Sequence, residues 1–132
     1  MSERLDLIFP GGKRVDVQVG PFLVATDQSV KAGGEASAPE PFALFLASLA
    51  ACAGIYALNF CQSRDLSTEG LGLSMEWERD PAQPLSPKVR FLLKLPSDFP
   101  EKYRDGILRA MDLCAVKKTI QNPPEFSAEI LA

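Results

Sequence analysis

Residues 41–60 read PFALFLASLAACAGIYALNF, a stretch without a single charged side chain. Ala, Leu and Phe dominate it, and its one proline, Pro41, suits the first turn of a helix. The stretch also approaches the length of a membrane span. Alanine, serine and Asn59 make it less apolar than such spans, and strand patterns flank it. The sequence therefore predicts a long apolar helix buried in the protein, with no membrane as partner.

The residues before this helix predict three short strands. Residues 5–9 and 15–19 alternate apolar with polar side chains, and the turn sequence PGGK at 10–13 joins them as a hairpin. Residues 22–26, FLVAT, predict a third strand. The glycine-, serine- and proline-rich residues 27–39 predict a long loop, which is often functional or part of an interface.

The residues after the helix predict a second hairpin and two shorter helices. The predicted elements are strands at 70–79 and 88–95 joined by a loop at 80–87, an amphipathic helix started by residues 96–102, a short helix from about 112–114 to 120, and a final strand at 126–131. The resulting order β-β-β-α-β-β-α-α-β contains no repeated βαβ unit, which favours an α+β fold with antiparallel sheets. At this length we expect one domain, residues 1–132. A helix so apolar has little partner surface within one small chain, which favours a homodimer.

Composition narrows the classes of function. The formal net charge is −3 and no stretch concentrates Lys and Arg, which disfavours a nucleic-acid partner. The chain has no histidine, so any chemistry must use Cys, Asp, Glu, Lys, Arg or Tyr. Its three cysteines form no C-x-x-C pair, which predicts free thiols and neither a metal site nor a cofactor. The charged N-terminus lacks a signal-peptide pattern and favours a cytoplasmic location.

Cys52 and Cys114 are the candidate reactive groups. Cys52 lies in the middle of the predicted helix, where small neighbours let another backbone or a ligand approach; simple core filling is the alternative. Cys114 lies at the predicted junction of two helices, where a helix N-terminus, Lys117 and Lys118 favour a thiolate; burial beside solvated lysines is the alternative. Cys61 comes nine positions after Cys52, which puts it on the opposite helix face and predicts a structural role.

Two motifs resemble the OsmC/Ohr family. Residues 41–52, PFALFLASLAAC, are similar to the family pattern P-x-x-L-L-x-x-x-x-A-x-C, and residues 113–116, LCAV, are similar to its C-P-V. Cys52 and Cys114 match the two family cysteines, and the predicted elements follow the family order along the whole chain. The resemblance implies an intertwined homodimer in which antiparallel sheets wrap around the long apolar central helices.

The resemblance also implies an enzyme, a thiol-dependent peroxidase that reduces organic hydroperoxides in an oxidative-stress response. Cys52 would be oxidised to a sulfenic acid, Cys114 would capture it as a disulfide, and a dithiol reductant would restore both thiols. The family carries a glutamate directly after the motif's proline, paired with an arginine that stabilises the thiolate. Phe42 occupies that position here, so Glu40 is the candidate carboxylate. Arg14 is the candidate cation, with a solvated hairpin arginine as the alternative.

The sequence leaves two functions open, and a purely structural dimeric protein is a third alternative. For a peroxidase, an apolar pocket for the hydroperoxide is predicted to be lined by Phe42, Phe45, Leu49 and Tyr56. The second motif also departs from the family pattern, with Ala115 in place of its proline. The replacement of the family glutamate by Phe42 motivates an alternative. That alternative is a binding protein without peroxidase activity that holds a hydrophobic small molecule at the dimer interface. Rapid oxidation of the thiols by peroxide would favour the peroxidase, and unreactive thiols would favour the binding protein.

Overall fold

The computed structural model describes residues 3–131 and confirms an α+β fold with antiparallel sheets and one long central helix. Its strands and helices are β1 (Asp6–Gly11), β2 (Arg14–Val19), β3 (Phe22–Thr26), α1 (Pro41–Gln62), β4 (Gly72–Asp80), β5 (Gln83–Lys94), α2 (Arg104–Met111) and α3 (Ala115–Gln121). The chain divides into an N-terminal unit that ends at Ala47 and a C-terminal unit that begins at Ser48. The assignment of residues 1–132 to one domain stays a prediction.

The N-terminal unit contains a three-stranded antiparallel sheet in the order β1-β2-β3. Val17 on the central strand pairs with Leu7 on β1 and with Val24 on β3. Gly12, in the predicted PGGK turn, has a φ of 59°, which a residue with a side chain rarely adopts. The predicted N-terminal hairpin and third strand are therefore confirmed.

The long loop after β3 is organised by one buried carboxylate. Asp27 is 1% exposed and accepts hydrogen bonds from the backbone N–H of Gln28 at 2.7 Å and of Ser37 at 3.0 Å. It also accepts one from the Ser37 hydroxyl at 2.6 Å, and its own N–H donates to the Pro39 carbonyl at 3.1 Å. The hydrogen bond from the Ser37 side chain, followed by those from backbone N–H groups, lowers the pKa of Asp27 to about 2. The loop is thus tied together at both ends by this residue.

Acid is expected to loosen this loop through Asp27. The pKa of the folded carboxyl, about 2, lies below its ordinary value of 3.8, so the folded state favours the charged form. That stabilisation is fully present above the ordinary pKa and is lost as the pH falls toward about 2. Thermal melting from about pH 5 to about pH 2 should show a flatter pH dependence for Asp27→Asn than for the wild type. Asp6→Asn, at an exposed carboxylate, is the control, and an unchanged pH dependence in Asp27→Asn would contradict this account.

The C-terminal unit contains the second hairpin, in which β4 pairs with β5 antiparallel. Asp80 pairs with Gln83, so the turn is two residues long and the predicted loop at 80–87 is wrong in its extent. The three prolines of that stretch suggested a loop, but Pro84 and Pro87 lie where the register between the strands is irregular. Proline has no backbone N–H to donate between strands. An irregular position in a two-stranded sheet accepts proline, because the strands form few hydrogen bonds with each other there.

The core of the C-terminal unit lies between α1 and α2. Its buried members are Ala53, Ala57, Phe60 and Cys61 from α1 with Ile107 and Met111 from α2. Gly106 allows this close packing, because a β-carbon there would lie 3.0 Å from the Phe60 ring. Leu73, Phe91 and Leu93 of the hairpin pack against the cluster, which puts one face of the β4-β5 sheet on the helices.

Helix α1 is long and apolar enough to cross a membrane by length and composition alone. Core helices of soluble proteins meet the same criterion, so this is weak evidence for a membrane span. The buried face of α1 in the C-terminal unit instead packs against α2.

The prediction of a strand at 126–131 is wrong. These residues form no helix or strand, and Phe126, Ile130 and Leu131 are 89%, 100% and 82% exposed. A strand requires a neighbouring strand for its hydrogen bonds, and its apolar–polar alternation alone cannot supply one.

Candidate functional site

Cys114 forms the start of α3. Its backbone is extended, with φ −49° and ψ 123°, and its Sγ accepts a hydrogen bond from the backbone N–H of Lys117 at 3.4 Å. This is the position of a helix N-cap, where a side chain satisfies an N–H group that has no partner inside the helix. Cys114 is 1% exposed. The predicted location at a helix junction is therefore confirmed, and the capping role fixes the direction of the thiol.

Cys52 of α1 meets Cys114 at this point, although about sixty residues separate them in sequence. The two thiols are hydrogen-bonded to each other, and the backbone N–H groups of Val116 and Ala115 also donate to the Cys52 sulfur. N–H groups in the first turn of a helix lack carbonyl partners within it, which leaves them free to do so. The structure thus brings together the two cysteines that the sequence singled out.

The contacts of the two thiols shift their pKa values in opposite directions. The hydrogen bond from Cys114, then the N–H of Val116, lowers the pKa of Cys52, against an opposing effect of burial. Burial first, then the hydrogen bond to Cys52, raises the pKa of Cys114. The pair therefore favours a thiolate at Cys52, the more exposed of the two residues, with the proton kept on Cys114.

Replacing Ala115 with proline is expected to raise the pKa of Cys52. Proline lacks the N–H that Ala115 donates to the sulfur, yet it fits the first turn of a helix. The extended ψ of 123° at Cys114 also suits a residue before proline. Iodoacetamide labelling of Cys52 against pH should move its midpoint upward in Ala115→Pro, with Ala115→Ser as the control that keeps the N–H. An unshifted midpoint in a folded Ala115→Pro protein would exclude this N–H as a stabilising contact.

The third thiol, Cys61, lies apart from the pair. It is 0% exposed in the core between α1 and α2, and burial raises its pKa, with Arg64 acting in the opposite direction. This location agrees with the structural role predicted from its helix face. Among residues 3–131 no group of three His, Cys, Asp or Glu side chains is placed to hold a metal ion.

Lys117 influences the pair through its backbone more than through its charge. Its ammonium pairs with Asp112, Nζ to Oδ1 at 2.7 Å, on the other side of Cys114 in the sequence. The sequence predicted that the lysine charge would favour the thiolate. It gave no sign of the pairing with Asp112, because a spacing of five residues matches no helical pair rule. The ion pair joins the end of α2 to the first turn of α3 around Cys114.

Arg14 and Glu40, the predicted charged pair, belong to the N-terminal unit. Arg14 Nη2 binds Oδ2 of Asp16 at 2.9 Å, and Asp16 is 2% exposed. Glu40 accepts a hydrogen bond from the Ser29 N–H at 3.1 Å, and its carbonyl accepts the first N–H bonds of α1. Both have local partners that sequence reasoning did not foresee, and their roles toward Cys52 stay predictions.

A cavity of about 560 Å³ lies within the C-terminal unit. Its apolar lining includes Leu49, Ala53, Val89, Phe91, Leu108 and Ile120, and its polar lining includes Arg90, Asp112, Lys117 and Cys114. Of the four residues predicted to line a substrate pocket, Leu49 lines this cavity, whereas Phe42, Phe45 and Tyr56 do not. The rings of Phe42 and Phe45 instead contact each other, with centroids 5.5 Å apart. Sequence reasoning missed the contribution of β5, because only tertiary structure brings that strand beside α2 and α3.

The fold and the paired thiols define a small α+β protein with a hydrogen-bonded dithiol at a helix start. Residues 34–129 match the family model of the OsmC-like proteins, and the chain belongs to this family. Among curated proteins, none matches the chain.

Three solved structures are similar to this chain in fold. A protein assigned to the osmotic-stress-induced and detoxification response of Psychrobacter arcticus 273-4 has a TM-score of 0.71 and 17% identity, over 90% of this chain and 88% of that one. An OsmC-like protein from Mycoplasma pneumoniae has a TM-score of 0.65 and 14% identity, over 93% and 89%. The organic hydroperoxide resistance protein OsmC from Legionella pneumophila has a TM-score of 0.56 and 16% identity, over 92% and 90%. At these identities the likeness establishes the fold.

Proposed function

We propose that this protein is a thiol-dependent peroxidase that reduces organic hydroperoxides in an oxidative-stress response in the cytoplasm. The observation that carries the proposal is the hydrogen-bonded pair of Cys52 and Cys114, whose pKa values shift in opposite directions. The nucleophile in such chemistry is a thiolate, and the second thiol must lie close enough to form a disulfide. Membership of the OsmC-like family and the hydroperoxide-resistance name of the Legionella pneumophila relative support the same reading.

The first step is attack by the Cys52 thiolate on the outer oxygen of the hydroperoxide. The O–O bond breaks, Cys52 becomes a sulfenic acid, and the alkoxide leaves and takes a proton from solvent to become an alcohol. The N–H groups of Ala115 and Val116 hold the thiolate before attack and keep its sulfur beside Cys114. Because the chain has no histidine, the Cys52 nucleophile is activated by backbone N–H groups and by a second thiol.

The second step joins the two sulfurs. The Cys114 thiol attacks the Cys52 sulfenic acid, the S–OH bond breaks, and the Cys114 proton leaves with the hydroxide as water. Keeping the proton on Cys114 until this step avoids two adjacent thiolates, which would repel each other. A dithiol reductant then returns both cysteines to the reduced state. The roles of Arg14 and Glu40 as cation and carboxylate remain part of the proposal.

Assembly into a homodimer is part of the proposal. Phe42 and Ile55 of the apolar helix α1 are each 46% exposed in the single chain. Phe9 on β1 and Phe22 on β3 are 77% and 70% exposed. Exposed apolar surface on several elements favours burial against a second subunit.

Brief exposure of the reduced protein to stoichiometric cumene hydroperoxide is expected to form a Cys52–Cys114 disulfide, and to do so faster than exposure to hydrogen peroxide. Intact-mass measurement and peptide mapping after quenching would follow the loss of two thiols and identify the linked peptides. Cys61, fully buried, should stay reduced and serves as the internal control. Three unreacted thiols would contradict the proposed activity.

The second candidate function is binding of a hydrophobic small molecule without peroxidase activity. The apolar cavity of about 560 Å³ favours it, since its size falls within the range of known ligand pockets. A hydrophobic compound that copurifies with the protein, together with thiols that do not react with peroxide, would select this function.

A further inference from the structure

The ion pair between Asp112 and Lys117 encloses Cys114 along the chain. Asp112 is the C-cap of α2, and Lys117 is the third residue of α3. Lys117 Nζ lies 2.7 Å from Asp112 Oδ1, a distance typical of a charge-assisted hydrogen bond. Both residues line the same cavity as Cys114, and Arg90, another charged residue of that lining, binds Glu76 at 2.8 Å. The pair of Asp112 and Lys117 is therefore a separate connection between two helices beside the thiol.

The two charges are placed against the dipoles of their helices. An α-helix carries a partial positive charge at its N-terminus and a partial negative charge at its C-terminus, so acidic residues favour the start and basic residues the end. Asp112 lies at the end of α2 and Lys117 in the first turn of α3, the reverse of that preference. The ion pair offsets both unfavourable placements. Departures from local preference are typical of functional sites, which makes this pair a candidate for a role beyond stability.

Helix α3 needs support at its start, because none of its seven residues is buried. Isolated helices of this length are marginal in water. Yet the first turn of this helix binds both sulfurs. The backbone N–H groups of Ala115 and Val116 donate to Cys52. The N–H of Lys117 donates to the Cys114 sulfur at 3.4 Å. A small displacement of this turn therefore changes three contacts of the thiol pair at once.

We propose that Asp112 is a positioning residue of the thiol site and that it acts through Lys117. By binding the Lys117 side chain, Asp112 fixes the first turn of α3 against the end of α2, so that the N–H groups of that turn meet the two sulfurs. The carboxylate itself takes no part in the reaction of Cys52 with a hydroperoxide. The inference rests on the proposed function in taking these thiols as the reacting groups.

A direct effect of the Lys117 charge on the thiolate is the competing explanation. An ammonium near a thiolate stabilises it, and Asp112 would then weaken that effect by neutralising the charge. The two explanations predict opposite results for Asp112→Asn. Loss of positioning weakens the N–H contacts to Cys52, whereas release of the ammonium adds to the stabilisation of its thiolate. The direction of the change therefore decides between them.

The test measures alkylation of Cys52 by iodoacetamide against pH in the reduced protein, with peptide mapping to identify the labelled thiol. Asp112→Asn and Lys117→Met should each move the midpoint upward by about half a pH unit, which lowers the thiolate fraction below the midpoint about three-fold. The double variant should show no further rise, because either change alone releases the same contact. Disulfide formation with stoichiometric cumene hydroperoxide should slow by a similar factor.

An exchange of the two charges separates the explanations a second time. Asp112→Lys combined with Lys117→Asp keeps an ion pair between α2 and α3 and places each charge at the helix end that favours it. Positioning predicts a midpoint close to that of the wild type. A direct charge effect predicts a higher midpoint, since the first turn of α3 then carries a carboxylate beside the thiol pair. This variant keeps the inference testable if Asp112→Asn does not fold.

Glu101→Gln is the matched control. Glu101 pairs with Arg104 at 3.3 Å at the start of α2, the opposite end of that helix from Cys114. The control also removes one ion pair and one negative charge from the C-terminal unit, so a general loss of stability would affect it in the same way. Its alkylation midpoint should equal that of the wild type. Thermal melting establishes that each variant is folded at the temperature of the assay.

A midpoint that falls in Asp112→Asn, or that rises in the charge exchange, would overturn the inference in favour of the direct charge effect. An unchanged midpoint in the folded single variants, or an equal rise in Glu101→Gln, would overturn it as well. Alkylation needs no peroxide, so these outcomes do not depend on the proposed activity. If cumene hydroperoxide leaves the thiols unreacted while the midpoint rises as expected, the proposed function fails and the positioning role of Asp112 stands.

Discussion

Turnover of cumene hydroperoxide is expected to fall by about three orders of magnitude or more when Cys52 is replaced by serine. A serine hydroxyl at this place cannot be held as an anion by a thiol and two backbone N–H groups, and it is a far weaker nucleophile toward the O–O bond. Steady-state turnover with a dithiol reductant measures the effect. Full turnover in a folded Cys52→Ser protein would exclude Cys52 as the peroxidatic residue.

Two further variants separate the roles of the thiols. Cys114→Ser should still be oxidised once by the hydroperoxide, but its Cys52 sulfenic acid should accumulate and be trapped by dimedone, because no second thiol captures it. Cys61→Ala removes a thiol from the core and leaves the pair intact, so the folded fraction should retain turnover close to that of the wild type. Together these variants distinguish the nucleophile, the resolving thiol and the structural thiol.

Replacing Ile107 with aspartate is expected to prevent stable folding of the C-terminal unit. Ile107 is 0% exposed in the cluster formed by α1 and α2, whose buried members carry apolar side chains and one thiol, so a carboxylate there loses its hydration. The expected loss is several kcal/mol, about the total stability of a domain of this size. Urea unfolding and the yield of soluble protein measure the effect.

The neighbouring residue provides the control. Leu108 is on the same helix, is 53% exposed, and receives the same substitution as Leu108→Asp. We expect a loss within about 1 kcal/mol, because an exposed carboxylate stays solvated. Similar unfolding midpoints for the two variants would show that the face of α2 toward α1 has been assigned incorrectly.

The sequence determined the elements whose pattern is local. An uncharged run rich in helix-forming residues favours a helix through local propensity, and the predicted helix at 41–60 matches α1, Pro41–Gln62. Alternation of side chains gave the N-terminal strands in the same way. The helix repeat of about 100° per residue put Cys61 opposite Cys52, and the buried core position of Cys61 agrees with that geometry.

Only the tertiary structure decided what depends on contacts distant in sequence. The cap that Cys114 provides for α3, and its meeting with Cys52, require α1 and α3 to be packed in one particular way. The same holds for the cavity beside β5 and for the buried Asp27, whose side-chain carboxylate has partners up to ten residues away. The predicted strand at 126–131 failed for a related reason: a strand exists only where another strand offers hydrogen bonds, and no local pattern contains that information. Local propensity thus set the helices and most strands, and long-range packing set the thiol pair on which the chemistry rests.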